Sequence, residues 1–195
     1  MNERELFRRL QAKAGRAPGL ALGIGDDCAI YRPGAGQELV FTTDLFIEDV
    51  HFLRVSTPAE QAGARALARS LSDIAAMGAS PRFCLVSLAL PSWVNRKWFD
   101  GFYRGLLKLA RKYKMALAGG DMSHAAKLTC DVMVCGSVAK GKALRRSGAK
   151  PGDLIYVSGP LGGWKHKKQP EPRIELGRKL AGKASAPSTS VRSSR

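Results

Sequence analysis

Three stretches of the chain repeat apolar residues at helical spacing, and the apolar runs between them are short and often β-branched. Asn2 is placed to cap a helix that starts at Glu3, with Glu5 as its capping-box partner and Leu6, Phe7 and Leu10 on one face. Thr57-Pro58 reads as an N-cap and first helical residue. The helix that follows carries Ala66, Leu67, Leu71, Ile74, Ala75 and Met77 inward, and Gly78 ends it. From Asn95 to Lys114 the period is set by Trp98, Phe99, Phe102, Leu106, Leu109 and Ala110. Strands are expected in the Gly-interrupted stretch 22–31, at Leu39–Thr43, at Phe83–Leu90 between Pro81 and Pro91, at Met115–Ala118, and at Leu128–Val138. A further strand is expected at Asp153–Ser158, after the Lys150-Pro151-Gly152 turn. The order ββαβαββ predicts an α+β sandwich with helices on one face of a mixed sheet, followed by the start of a second α/β domain.

Composition sharpens the boundaries. A chain of 195 residues, 45% hydrophobic, suffices for one domain with a core, or one domain and a fragment. The expected division is a domain over 1–150, the start of a second over 151–186, and a small, polar, disordered tail over 187–195. No apolar run approaches membrane-spanning length, and the charged first ten residues do not read as a signal peptide. A cytoplasmic protein with free thiols is expected, because the four cysteines form no Cys-x-x-Cys pair and the three histidines lack zinc-finger spacing. The net charge of +16 invites a nucleic-acid reading. However, +7 of it lies from Trp164 onward, and the remainder shows no basic-aromatic interleaving, so nucleic acid is not the expected partner. A basic RNA-binding protein without catalytic activity stays as the alternative.

The candidate chemistry lies in aspartates set beside glycines or hydroxyls. Asp26 and Asp27 follow Gly23-Ile24-Gly25, Asp44 follows Thr42-Thr43, Asp73 lies in Ser70-Leu71-Ser72-Asp73, and Asp121 follows Gly119-Gly120. Magnesium takes hard oxygen ligands and bridges substrate phosphates, and such an array suits it. Each aspartate also has an ordinary explanation: two of these sites read as turns, and Asp73 either meets a buried hydroxyl or pairs with Arg69. No Gly-x-x-x-x-Gly-Lys-Ser/Thr motif occurs, which excludes a P-loop enzyme.

Together the motifs carry a resemblance. Leu22-Gly-Ile-Gly-Asp-Asp-Cys-Ala29, Thr42-Thr-Asp44, Val50-His-Phe52, Leu71-Ser-Asp-Ile-Ala-Ala-Met-Gly78, Gly119-Gly-Asp121, Arg146-Ser-Gly-Ala-Lys-Pro-Gly-Asp153 and Ile155-Tyr-Val-Ser-Gly159 stand in one order across residues 1–163. In this the chain resembles the thiamine-monophosphate kinases, of the superfamily of aminoimidazole ribonucleotide synthetase and selenophosphate synthetase. The resemblance implies ATP-dependent phosphorylation of thiamine monophosphate to thiamine diphosphate, by a homodimer. It implies magnesium on Asp27, Thr42, Thr43, Asp44, Asp73 and Asp121, ATP on Tyr103, Gly120, Asp121 and Arg146, and the substrate on His51. It assigns no catalytic acid or base, and the acceptor needs none: its phosphate, with a second pKa of about 6, is already mostly anionic at neutral pH.

The chain departs from the family pattern at Ser70, where Asn is usual, and at Met122-Ser123, where Thr-Thr or similar is usual. It departs further after Gly163, resembles the family again from Pro170 to Ala186, and then breaks off. The sequence alone leads to the expectation of an inactive or impaired fragment, ended by a frame slip or an early stop.

Overall fold

Leu67, Leu71, Ile74, Phe102 and Leu106 are all shielded from solvent, and around them the expected helices form. Each such side chain contributes about 1.5–3 kcal/mol by leaving water. The computed structural model describes residues 3–159 and 171–187. Helix α1 spans Glu3–Lys13, α2 Ala59–Ala76 and α3 Arg96–Lys112. Asn95 caps α3, its Oδ1 accepting the Trp98 N–H at 2.9 Å. Thr57 does not cap α2: Pro58 occupies the N-cap position and no side chain bonds there. Arg9 pairs with Asp100 at 2.9 Å and Arg96 with Glu5 at 3.1 Å, so α1 is tied along α3.

Helices α2 and α3 meet backbone to backbone. A Cβ on Gly63 would lie 1.9 Å from the Phe102 carbonyl oxygen, and one on Gly105 would lie 1.8 Å from that of Glu60. Only glycine permits this approach.

The main sheet holds β3 (Gln37–Ile47), β4 (Ser80–Leu90), β5 (Ala116–His124) and β6 (Thr129–Ala139), in the order β3-β6-β4-β5. β6 runs antiparallel to both β3 and β4, while β4 and β5 are parallel. β3 and β4 are therefore parallel strands joined through α2, with β6 inserted between them. Cys84, Val86 and Leu88 of β4 and Cys130, Val132 and Val134 of β6 face the helices in one continuous core. The opposite face carries a small cluster of Phe83, Ala118 and Cys135. A two-stranded ribbon, β1 (Leu20–Leu22) with β2 (Ile30–Tyr31), covers that end, with Tyr31 tilted on Phe83 at 5.3 Å between ring centroids.

Two strands run further than the apolar pattern suggested. β3 continues through Asp44 to Ile47, and β5 passes through Gly119-Gly120-Asp121 rather than turning there. The strand expected at residues 153–158 is absent. Leu154, Ile155 and Tyr156 lie 77%, 94% and 84% exposed in irregular backbone. Beyond a 3-10 turn at Arg146–Gly148, helix α4 (Ile174–Leu180) returns to the core: Ile174 is buried, and Gly177 packs against the Ala75 carbonyl. Of the tail expected at 187–195, residues 188–195 lie outside the described residues.

Candidate functional site

Strand β3 is a sheet edge, and its alternation divides the hydroxyl and carboxylate residues between the two faces. Thr42 and Asp44 point toward α2. The Thr42 hydroxyl donates to Asp73 Oδ2 at 2.7 Å, and Arg69 Nη2 donates to Asp44 Oδ1 at 3.2 Å. Arg69 and Asp73 are four residues apart, so α2 presents both on one side. Burial raises the Asp44 pKa, Arg69 opposes that rise, and the neighbouring Asp73 charge adds to it.

His51 follows β3 and stacks on Phe46, with ring centroids 6.0 Å apart. Its Nδ1 accepts the Ile47 N–H at 3.0 Å, and Arg65 Nη2 donates to its carbonyl at 2.7 Å. Burial lowers the imidazole pKa, Arg69 lowers it further, and Asp44 partly opposes them. The neutral ring therefore carries its proton on Nε2.

The other face holds a different set. Thr43 donates to Asp131, and Asp131, Ser87 and Asp121 stand at one level across β6, β4 and β5. Asp26 and Asp27 lie in an exposed loop, where the Asp26 carboxylate accepts the Asp27 N–H at 2.9 Å. Gly120 has φ of +151°, and a Cβ there would lie 1.9 Å from the Val86 carbonyl oxygen. Tyr103 is buried, its ring 4.9 Å from Phe99, and it helps line a basic cavity with Arg9, Lys13, Arg104 and Arg111. Arg146 is exposed in the 3-10 turn.

Of the residues expected to hold magnesium, the structure brings Thr42, Asp44 and Asp73 together, sets Thr43 and Asp121 on the far face, and leaves Asp27 in its loop. Among the described residues no three His, Cys, Asp or Glu side chains converge. The Thr42, Asp44 and Asp73 set does fit a magnesium ion that completes its shell with water and phosphate. Its donors are all hard oxygens, and its two carboxylates are near enough for the charge of one to raise the pKa of the other.

Arg65, Arg69 and Asp131 were not singled out as site residues from sequence. The signal for Asp131 was present as the one acidic residue inside the apolar run 128–138.

The mixed sheet covered by helices on one face is the framework of a known family. The chain belongs to the family described as AIR synthase related protein, N-terminal domain, which it matches over residues 25–138.

Within that group it is similar to thiamine-monophosphate kinases. It is 38% identical to the one from Bacillus subtilis (strain 168), across 91% of this chain and 62% of that protein. It superposes on the crystal structure of thiamine-monophosphate kinase from Stenotrophomonas maltophilia K279a with a TM-score of 0.81 and 36% identity, across 95% of this chain and 66% of that one. A solved complex, AaThiL with AMPPCP and TMP, is 25% identical with a TM-score of 0.72, over the same shares. The chain thus spans about three fifths of the Bacillus relative's length, matching its N-terminal part.

Proposed function

We propose that the chain is the nucleotide- and magnesium-binding part of a thiamine-monophosphate kinase, which passes the γ-phosphoryl group of ATP to thiamine monophosphate in the cytoplasm. The carrying observation is the oxygen set of Thr42, Asp44 and Asp73 where α2 crosses the β3 edge. The relatives supply the direction: a protein of this kind has been solved with AMPPCP and TMP. Thr43 and Asp121 on the far face and Asp27 in its loop are the proposed ligands of further magnesium ions, and Tyr103, Gly120, Asp121 and Arg146 the proposed ATP contacts. A bound magnesium ion would neutralise phosphate charge and align the two phosphates.

The chain's own contributions are positional. His51, neutral with its proton on Nε2, is a hydrogen-bond donor toward the acceptor phosphate and needs no proton transfer. Arg65 holds the His51 backbone through its carbonyl. Gly120 lets β5 lie against the Val86 backbone, which fixes the position of the adjacent Asp121. The proposed homodimer forms through the sheet face away from the helices, where Phe41 and Leu45 are 62% and 51% exposed.

The test is equilibrium binding of AMPPCP in magnesium. Asp44→Asn and Asp121→Asn, each with an unchanged circular dichroism spectrum, are expected to weaken it at least about tenfold, the scale of losing one charged partner. Unchanged affinity in both variants rejects the reading.

A further inference from the structure

Helical spacing leaves Asp73 two partners, a buried hydroxyl or Arg69. The structure gives Asp73 to the Thr42 hydroxyl and Arg69 to Asp44. We propose that Arg69 is a tethered counter-cation, whose guanidinium stands in for the divalent ion at Asp44 and must leave before that ion can bind. This rests on the reading that Asp44 and Asp73 hold a divalent cation.

Three observations support a placeholder over a permanent clamp. First, two carboxylates lie close together on half-buried ground, and that arrangement needs positive charge. Arg69 is the cation bonded to either of them among the described residues. Second, its hold is slack. It makes a single 3.2 Å contact rather than a bidentate pair, and its Nε is buried with no hydrogen-bond partner. An orphaned buried N–H is a cost that release into solvent removes. Third, the arginine side chain is 40% exposed, so a route outward exists. Arg65, one helical turn away, adds like-charge repulsion that favours departure. Asp44 Oδ1 cannot serve a guanidinium and an inner-shell metal ion along the same direction. Binding the ion and keeping the Arg69 pair are therefore competing states, and each weakens the other.

The arrangement makes Arg69 a positioning residue with an affinity cost. It keeps the carboxylates separated and neutralised in the cation-free protein, and it lowers the apparent affinity for the ion that displaces it.

The experiment measures Mn2+ binding to the full chain by electron paramagnetic resonance, with thermal midpoints recorded in the absence of metal. Arg69→Gln removes the competitor and is expected to bind Mn2+ about three- to fivefold more tightly, the upper range for one half-exposed ion pair. Its metal-free midpoint falls, and added Mn2+ restores it. Arg69→Lys keeps the charge without the planar fork and should lie between the two. If Arg69→Gln does not fold, Arg69→Lys decides by the same criterion. Asp44→Asn separates the two claims. Loss of Mn2+ binding there, with unchanged or weaker binding in the Arg69 variants, overturns the counter-cation and leaves the metal site standing. Full Mn2+ binding in Asp44→Asn overturns the site and the proposal with it.

Discussion

His51 turns one ring nitrogen inward to the Ile47 N–H and leaves the other to donate. Its burial, with Arg69 and Arg65 nearby, makes the charged imidazole unfavourable in the folded chain. The folded pKa lies below the usual histidine value of about 6.5. Its contribution to stability is thus complete above that value and is lost as pH falls through the lower folded pKa. NMR titration of the imidazole should give a midpoint below 6.5, and a midpoint at or above it would show that burial and the arginines do not govern the ring. Asp44 runs the other way. With its folded pKa raised, its contribution is largest below the ordinary aspartate value and is lost as pH rises through the raised one. At this scale the sequence marks Thr42, Asp44 and Asp73 as candidates, and the structure sets the three side by side where α2 meets β3. The sequence offers both bland readings of Asp73, a hydroxyl partner and Arg69, and the structure takes the first. Asp131 stands out as the one acidic residue of its apolar run, but its place beside Thr43 depends on strand pairing, which is non-local.

Among elements, α2 and α3 were legible almost to the residue, since an apolar stripe and an Asn cap are local signals. What the stripes did not show is why Gly63 and Gly105 interrupt good helices. Each lies where the other helix's backbone passes within contact of its missing side chain. Gly63→Ala or Gly105→Ala should cost about 1–3 kcal/mol, the usual penalty of overpacking. Gly34→Ala, whose added carbon meets nothing nearer than 3.9 Å and whose φ is not positive, should cost little. Urea unfolding of the three variants compares them directly, and equal midpoints would show that the helices can slide apart freely. Strand pairing overrides local pattern at two places. Gly119-Gly120 reads locally as a turn, yet β4 supplies a partner that carries β5 through it, with a one-residue register shift at Ala118. Residues 153–158 read locally as a strand, yet no partner among the described residues pairs with them. Strand identity is a property of pairs, and a pattern along one chain does not contain it.

Taken whole, the domain covers one side of its sheet with helices and only one end of the other with the β1–β2 ribbon. The proposed dimer would cover Phe41 and Leu45 on the β3 side of that face. Sedimentation at micromolar concentration should show a two-chain species that Phe41→Glu converts to single chains, and a well-folded single chain without that substitution would count against the pairing. The strand order has a consequence of a different kind, for the time the fold takes to assemble. In the order β3-β6-β4-β5 no two neighbours are joined by a hairpin. Even β4 and β5 are separated by a whole helix, and β6, which bonds to both β3 and β4, is the last of the four to be synthesised. Nearly every ladder must close a long loop before it gains anything in return, a topology that slows folding. During synthesis, β3 and β4 must wait with unpaired edges until residues 129–139 emerge and slot between them, while the helical contacts at Gly63 and Gly105 are free to form first.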